Sequence, residues 1–136
     1  MGEVRLRWTG ERLQFLGEPG YGDALQIGGD TEGPGAKPSD LLPLSLAACT
    51  AYDVVEILRK QRQSLQGLEA VVTSTQDPDP PWMFRAIDVE WIVRGAVDPR
   101  KAERAVFLAE SKYCAVAATL RGAVALSHHI RVEPGV

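Results

Sequence analysis

Cys49 and Cys114 are the only two thiols in the chain. A reduced pair of this kind is inert packing, a metal ligand set or a redox couple. With Ser111 as a helix N-cap, Cys114 would stand at the third helical position. Unpaired backbone N–H groups and the helix dipole favour a thiolate there, and Lys112 adds positive charge. Cys49 has less local support. It lies in a long apolar segment, with Asp53 one turn later on the same helical face. Burial and a neighbouring carboxylate both raise a thiol pKa. On local physics alone Cys49 packs as a small hydrophobe, unless a cation from elsewhere in the fold reaches it.

The remaining candidates carry less chemistry. Asp53 and Glu56 are three residues apart in the same apolar helix, a spacing that suits a polar network or a basic contact better than acid–base work. His128 and His129 are adjacent in a strand pattern, so their side chains point to opposite faces and do not share a metal. Two cysteines without tight Cys/His spacing do not make a zinc site. The glycine-rich stretch 28–35 lacks the spacing of a phosphate loop and carries acidic residues that would repel phosphate. Trp8, Trp82 and Trp91 are read as core or interface residues, not as a stacking platform for bases.

These residues need elements to hold them. The central one spans 38–63. From Leu41 to Leu58 it is apolar almost all the way round, which predicts a helix buried on every side. A membrane span would not carry Asp53 and Glu56 in its second half. Ser39 or Asp40 is the expected N-cap, Pro43 is tolerable in the first turn, and Gly67 is the expected breaker. Before the helix, alternation at Val4, Leu6 and Trp8, then Leu13 to Leu16 and Ala24 to Ile27, predicts a β-meander over 2–28. After it, β-branched residues from Leu68 and the alternation of Ile87, Val89, Trp91 and Val93 predict a β-hairpin over 68–95, turned by Asp77–Pro81. Asp98-Pro99 is a strong helix start. Two helices are expected over 98–121 and a last strand over 123–133. The order predicts one α+β domain over 1–136, with mostly antiparallel sheets.

Composition narrows the function. The chain has 136 residues, a net charge of −3 and 45% hydrophobic content, enough for one soluble core and no footprint for nucleic acid. The first residues, MGEVRLRWTGER, lack the apolar run of a secretory leader. A cytoplasmic protein is expected, without membrane or nucleic-acid partners.

The segment with Ala47-Ala48-Cys49 followed by Asp53-Val54-Val55-Glu56-Ile57-Leu58 and Lys60 resembles the OsmC/Ohr family of small thiol proteins. So does Lys112-Tyr113-Cys114 followed by Ala115-Val116-Ala117. The likeness covers essentially the whole chain, and the 53–60 run is most similar to the YhfA-type branch. The resemblance implies an OsmC-like α+β fold, with sheets around two central helices in an intertwined homodimer. It implies reduction of organic hydroperoxides or hydrogen peroxide in the oxidative stress response. Cys49 would be the peroxidatic thiol, Cys114 would resolve its sulfenic acid as a disulfide, and an external dithiol would restore both. No cofactor is implied. The resemblance also supplies the missing cation, an arginine of the N-terminal hairpin. Arg12 is the nearest match, and Arg5 and Arg7 are alternatives. Two positions depart from the pattern. Ser39, with Asp40 beside it, stands ten positions before Cys49, where the organic-hydroperoxide branch of the family carries a glutamate that orients the arginine. Ala115 stands where a proline often follows the second cysteine. A redox-silent or disulfide-sensing dimer that binds a small apolar ligand is the alternative from another functional class.

Overall fold

A computed structural model describes residues 2–135. The fold is α+β and divides into two compact units, Met1–Leu42 and Pro43–Val136.

The N-terminal unit is an antiparallel meander of β1 (Arg5–Trp8), β2 (Gln14–Glu18) and β3 (Leu25–Gly28), in the order β1-β2-β3. A loop follows, organised by Asp30. The Asp30 carboxylate accepts from Gly33 N at 2.7 Å, Gln14 Nε2 at 2.9 Å and Leu13 N at 3.3 Å. These bonds, the Gln14 one foremost, hold its carboxyl below the ordinary carboxylate pKa. The glycines here serve close packing. A Cβ on Gly35 would come within 2.4 Å of the backbone of Ile27 and Gly28. The alternation of Leu6 and Trp8 predicts one covered face, yet both side chains are exposed.

The C-terminal unit holds α1 (Leu41–Lys60, whose first two residues belong to the N-terminal unit), β4 (Ser64–Gln76), β5 (Phe84–Ala96), α2 (Pro99–Leu108), α3 (Ala115–Leu120) and β6 (Ala125–Glu133). Pro38–Asp40 forms a single 3-10 turn before α1, with Lys37 as its N-cap. Ser39 and Asp40 therefore lie inside that turn and are not its cap. Pro43 sits in the first turn of α1, where its missing N–H has no helical partner to lose. The helix ends on Arg59 and Lys60, which suit the negative end of its dipole. Its stop is not Gly67. Arg62 takes the left-handed conformation at φ 58°, with Gln63 N bonded to Leu58 O at 3.0 Å and Arg62 N to Arg59 O at 2.9 Å. Gly67 instead sits in β4 at a bulge against β5.

Strand β5 is the middle of the second sheet, antiparallel to β4 and parallel to β6. Ile87, Val89, Trp91 and Val93 on β5 are fully or almost fully buried. They meet Leu46, Val54 and Leu58 of α1 and Ala102, Ala105 and Val106 of α2 in one core. Asp98 caps α2 as expected, its carboxylate accepting from Arg100 N at 2.9 Å with Pro99 at the first helical position. The helix α1 is not buried on every side. It packs one stripe, Pro43, Leu46, Ala47, Thr50, Val54 and Leu58, while Leu44 and Tyr52 remain 60% and 72% exposed on the opposite face.

Candidate thiol site

Cys49 stands near the middle of α1, beside the buried stripe, and is half-buried. The neighbouring Thr50 is fully buried, its hydroxyl donating to Leu46 O at 2.9 Å. Cys114 reaches the same place from the other end of the unit. Between α2 and α3 the chain makes a π-turn over Ala109–Tyr113, closed by Cys114 N donating to Ala109 O at 2.8 Å. Cys114 then turns extended, at φ −82° and ψ 111°, and becomes the N-cap of α3. Its Sγ accepts from Ala117 N at 3.3 Å. The expected cap, Ser111, lies inside the π-turn and donates to Phe107 O at 2.6 Å. Cys114 therefore precedes the first helical residue. The reason is the π-turn, which lengthens the connection and delays the helix start.

Cys49 packs against the core that contains Cys114, close enough for the Cys114 thiol to act on it, and both thiols are free. The backbone N–H groups of Val116 and Ala115, at the start of α3, also face the Cys49 sulfur. Burial pushes the Cys49 thiol above its ordinary pKa. The Cys114 thiol pushes the same way, and the two N–H groups oppose it. Burial is one of the two causes the sequence suggests; the other, the Asp53 carboxylate, plays no part, and the Cys114 thiol takes its place.

Asp53, Glu56 and Lys60 follow Cys49 on its stripe of α1, at helical spacings. With Tyr52, Ile57, Gln61 and Tyr113 they line an open cleft of about 450 Å³. Tyr113 directly precedes Cys114, so the cleft borders the thiol site. The Lys112 ammonium lies 5.7 Å from the centre of the Tyr113 ring.

Arg12 belongs to the N-terminal unit, in the β1–β2 turn, where its φ is 48°. Its guanidinium pairs with Asp30 and Glu32, each at 3.4 Å. The alternatives, Arg5 and Arg7, pair with Glu3 at 3.3 Å and Glu18 at 2.9 Å. His128 and His129 do face opposite ways. His128 Nδ1 accepts from Trp91 Nε1 at 3.0 Å, and His129 Nε2 meets Asp88 at 2.8 Å. Among the described residues, no group of three or more His, Cys, Asp or Glu is placed to hold a metal ion.

Two residues that the sequence does not single out stand beside the site. Glu110, in the π-turn, and Arg121, just past α3, are joined twice. Arg121 Nη2 donates to the Glu110 carbonyl, and Arg121 Nε lies 3.5 Å from the Glu110 carboxylate. In the sequence Arg121 is only a basic residue at a helix end, and nothing local pairs it with Glu110.

Residues 28–129 match the family model described as OsmC-like protein. Protein YhfA of Escherichia coli K12 is 34% identical over 131 residues, covering 96% of this chain and 97% of that protein. The crystal structure of a hypothetical protein from Aquifex aeolicus superposes with a TM-score of 0.89 at 26% identity, covering 100% of this chain and 98% of that one. The organic hydroperoxide resistance protein OhrB of Bacillus subtilis shares the fold, with a TM-score of 0.63 at 21% identity over 96% of this chain and 98% of its own.

Proposed function

Because the chain belongs to the OsmC-like family, we propose that it is a thiol-dependent peroxidase with a stress-related redox role, acting through Cys49 and Cys114. The observation that carries this reading is that the two cysteines, one on α1 and one capping α3, are brought to the same core, where the Cys114 thiol acts on Cys49. A structural cysteine needs no second sulfur beside it.

The chemistry runs in three steps. The Cys49 thiolate attacks the O–O bond of a hydroperoxide. A Cys49 S–O bond forms, the O–O bond breaks, and the leaving alkoxide takes a proton to become an alcohol. The Cys114 sulfur then attacks the sulfenic acid, forming the Cys49–Cys114 disulfide and releasing water. An external dithiol reduces that disulfide by exchange and is itself oxidised. No cofactor takes part.

The first step needs a thiolate, and burial works against it. Ala115 N–H and Val116 N–H supply part of the remedy, and Arg12 is the proposed source of the rest. Its guanidinium is paired with Asp30 and Glu32, while Ser39 and Asp40 do not replace the glutamate of the organic-hydroperoxide branch. The proposal includes a homodimer. The open apolar residues Leu6, Trp8, Leu44 and Tyr52 need cover, and a second copy would supply it. A cytoplasmic location without membrane or nucleic-acid partners fits the acidic net charge and family membership.

The test mixes reduced protein with an organic hydroperoxide and counts free thiols. The reading expects loss of both thiols at near-stoichiometric peroxide, and no consumption by Cys49→Ser. Thiols that persist would end it.

One observation favours a second reading, a disulfide-sensing or redox-silent dimer. Burial holds Cys49 protonated. In that case Cys49 alkylates with an apparent pKa at or above about 8.5, and any oxidation occurs without turnover by a dithiol.

A further inference from the structure

The π-turn before Cys114 leaves a backbone group without its helical partner. In a continuing α-helix the Glu110 carbonyl would accept from the N–H of Cys114, four residues on. That N–H is bonded to Ala109 O instead. The next N–H along, that of Ala115, faces the Cys49 sulfur, and so does that of Val116. The freed carbonyl lies in an exposed setting, within reach of a side-chain donor. Arg121 supplies it, with Nη2 on the Glu110 carbonyl and Nε beside the Glu110 carboxylate. Arg121 is also the C-cap of α3, its own N–H on Ala117 O. Cys114 caps the other end of the same short helix. The guanidinium thus ties the far end of α3 back to the segment that delivers Cys114.

We propose that Arg121 is a positioning residue of the thiol site: by satisfying the Glu110 carbonyl it leaves the Ala115 and Val116 N–H groups free to face Cys49 and fixes Cys114 against it. The proposal rests on reading Cys49 and Cys114 as a redox pair. It adds that their geometry is set from the back of α3, by a residue that touches neither sulfur. The fork of the guanidinium suits this task, because one group must serve a carbonyl and a carboxylate together. Within the pair the carbonyl contact carries the function. The carboxylate contact is longer, and the Arg121 side chain is partly exposed, so that ion pair contributes little.

Two measurements on the full chain test this without any peroxide, so their outcome is separate from that of the peroxidase assay. The first is the pH dependence of Cys49 alkylation, resolved by peptide mass spectrometry. The second is the Cys49–Cys114 disulfide equilibrium in glutathione buffers. In Arg121→Met the apparent Cys49 pKa should rise by roughly half a unit or more, the size of one loosened hydrogen bond. The disulfide equilibrium should shift roughly fivefold towards the thiols, by the same reasoning. Arg121→Lys, which keeps one donor for the carbonyl, should fall between Arg121→Met and the natural chain. Glu110→Gln keeps the backbone carbonyl and should stay close to the natural chain in both. If Arg121→Met does not fold, Arg121→Gln, neutral and too short to reach both groups, carries the same comparison. A folded Arg121 variant with unchanged Cys49 pKa and unchanged disulfide equilibrium overturns the proposal. So does a Glu110→Gln effect as large as that of Arg121→Met.

Discussion

The Cys49 thiol packs against the core that contains Cys114, close enough for the two thiols to act on each other, and both are free. The sulfurs meet because the middle of α1 and the first turn of α3 share one core, which contains Cys114 and has Cys49 packed against it. Closing them into a disulfide cross-links two helices far apart in sequence. Oxidation with diamide should therefore remove both free thiols and stabilise the protein, by up to about 4 kcal/mol at the loop-closure limit. Urea melts of the oxidised and reduced forms measure the difference. An oxidised form no more stable than the reduced one would contradict the geometry, and Cys114→Ser should show no oxidant-dependent change.

The choice of substitute at Cys114 matters, because its sulfur is the N-cap acceptor for Ala117 N–H. Serine keeps an acceptor at that position and alanine does not. Cys114→Ala should cost about 1 kcal/mol more stability than Cys114→Ser, the usual size of a lost cap. Denaturant midpoints decide it, and equal midpoints would mean that the cap is dispensable.

His128 gives the pH dependence a definite sign. Burial depresses its pKa, outweighing the pull of Glu110 and Asp88 towards the charged form. The unfolded chain then binds the proton first as pH falls, so stability should decline from about pH 6.5 downward, the ordinary histidine value. His128→Asn keeps an acceptor for Trp91 Nε1 and removes the titration. Its urea midpoint between pH 7.5 and 5.5 should fall less than that of the natural chain. Parallel curves would place the acid sensitivity elsewhere.

The cleft lined by Asp53, Glu56 and Lys60 lies along the face of α1 that continues from Cys49. If peroxides approach through it, anionic ones meet like charge first. Asp53→Asn should raise the rate with a carboxylate-bearing hydroperoxide several-fold relative to a neutral one, more at low ionic strength than at high. Competition between the two substrates reads the ratio directly, and an unchanged ratio would remove the cleft from the approach path.

Much of this was legible in the residues themselves. The apolar run with Ala47-Ala48-Cys49 announced α1, Asp98-Pro99 marked the start of α2, and the alternation around Trp91 marked a buried strand. The rest depended on tertiary packing that local patterns do not encode. Ser111 is a good capping residue, but the wide π-turn moves the cap to Cys114. Gly67 is a good breaker, yet the helix ends at Lys60, and the turn that stops it uses Arg62 in the left-handed conformation without glycine's freedom. Leu6 and Trp8 alternate as a half-buried strand should, while their apolar face stays open in the single chain. Glu110 and Arg121 are ordinary surface residue types, and only the fold brings them together.

The parallel pairing of β6 with β5 has a consequence for Cys114. Parallel neighbours require a crossover, and that crossover is the segment bearing Cys114. The crossover is held at its far end by the pairing of β6 with β5. The position of Cys114 is therefore secured only once β6 has paired with β5.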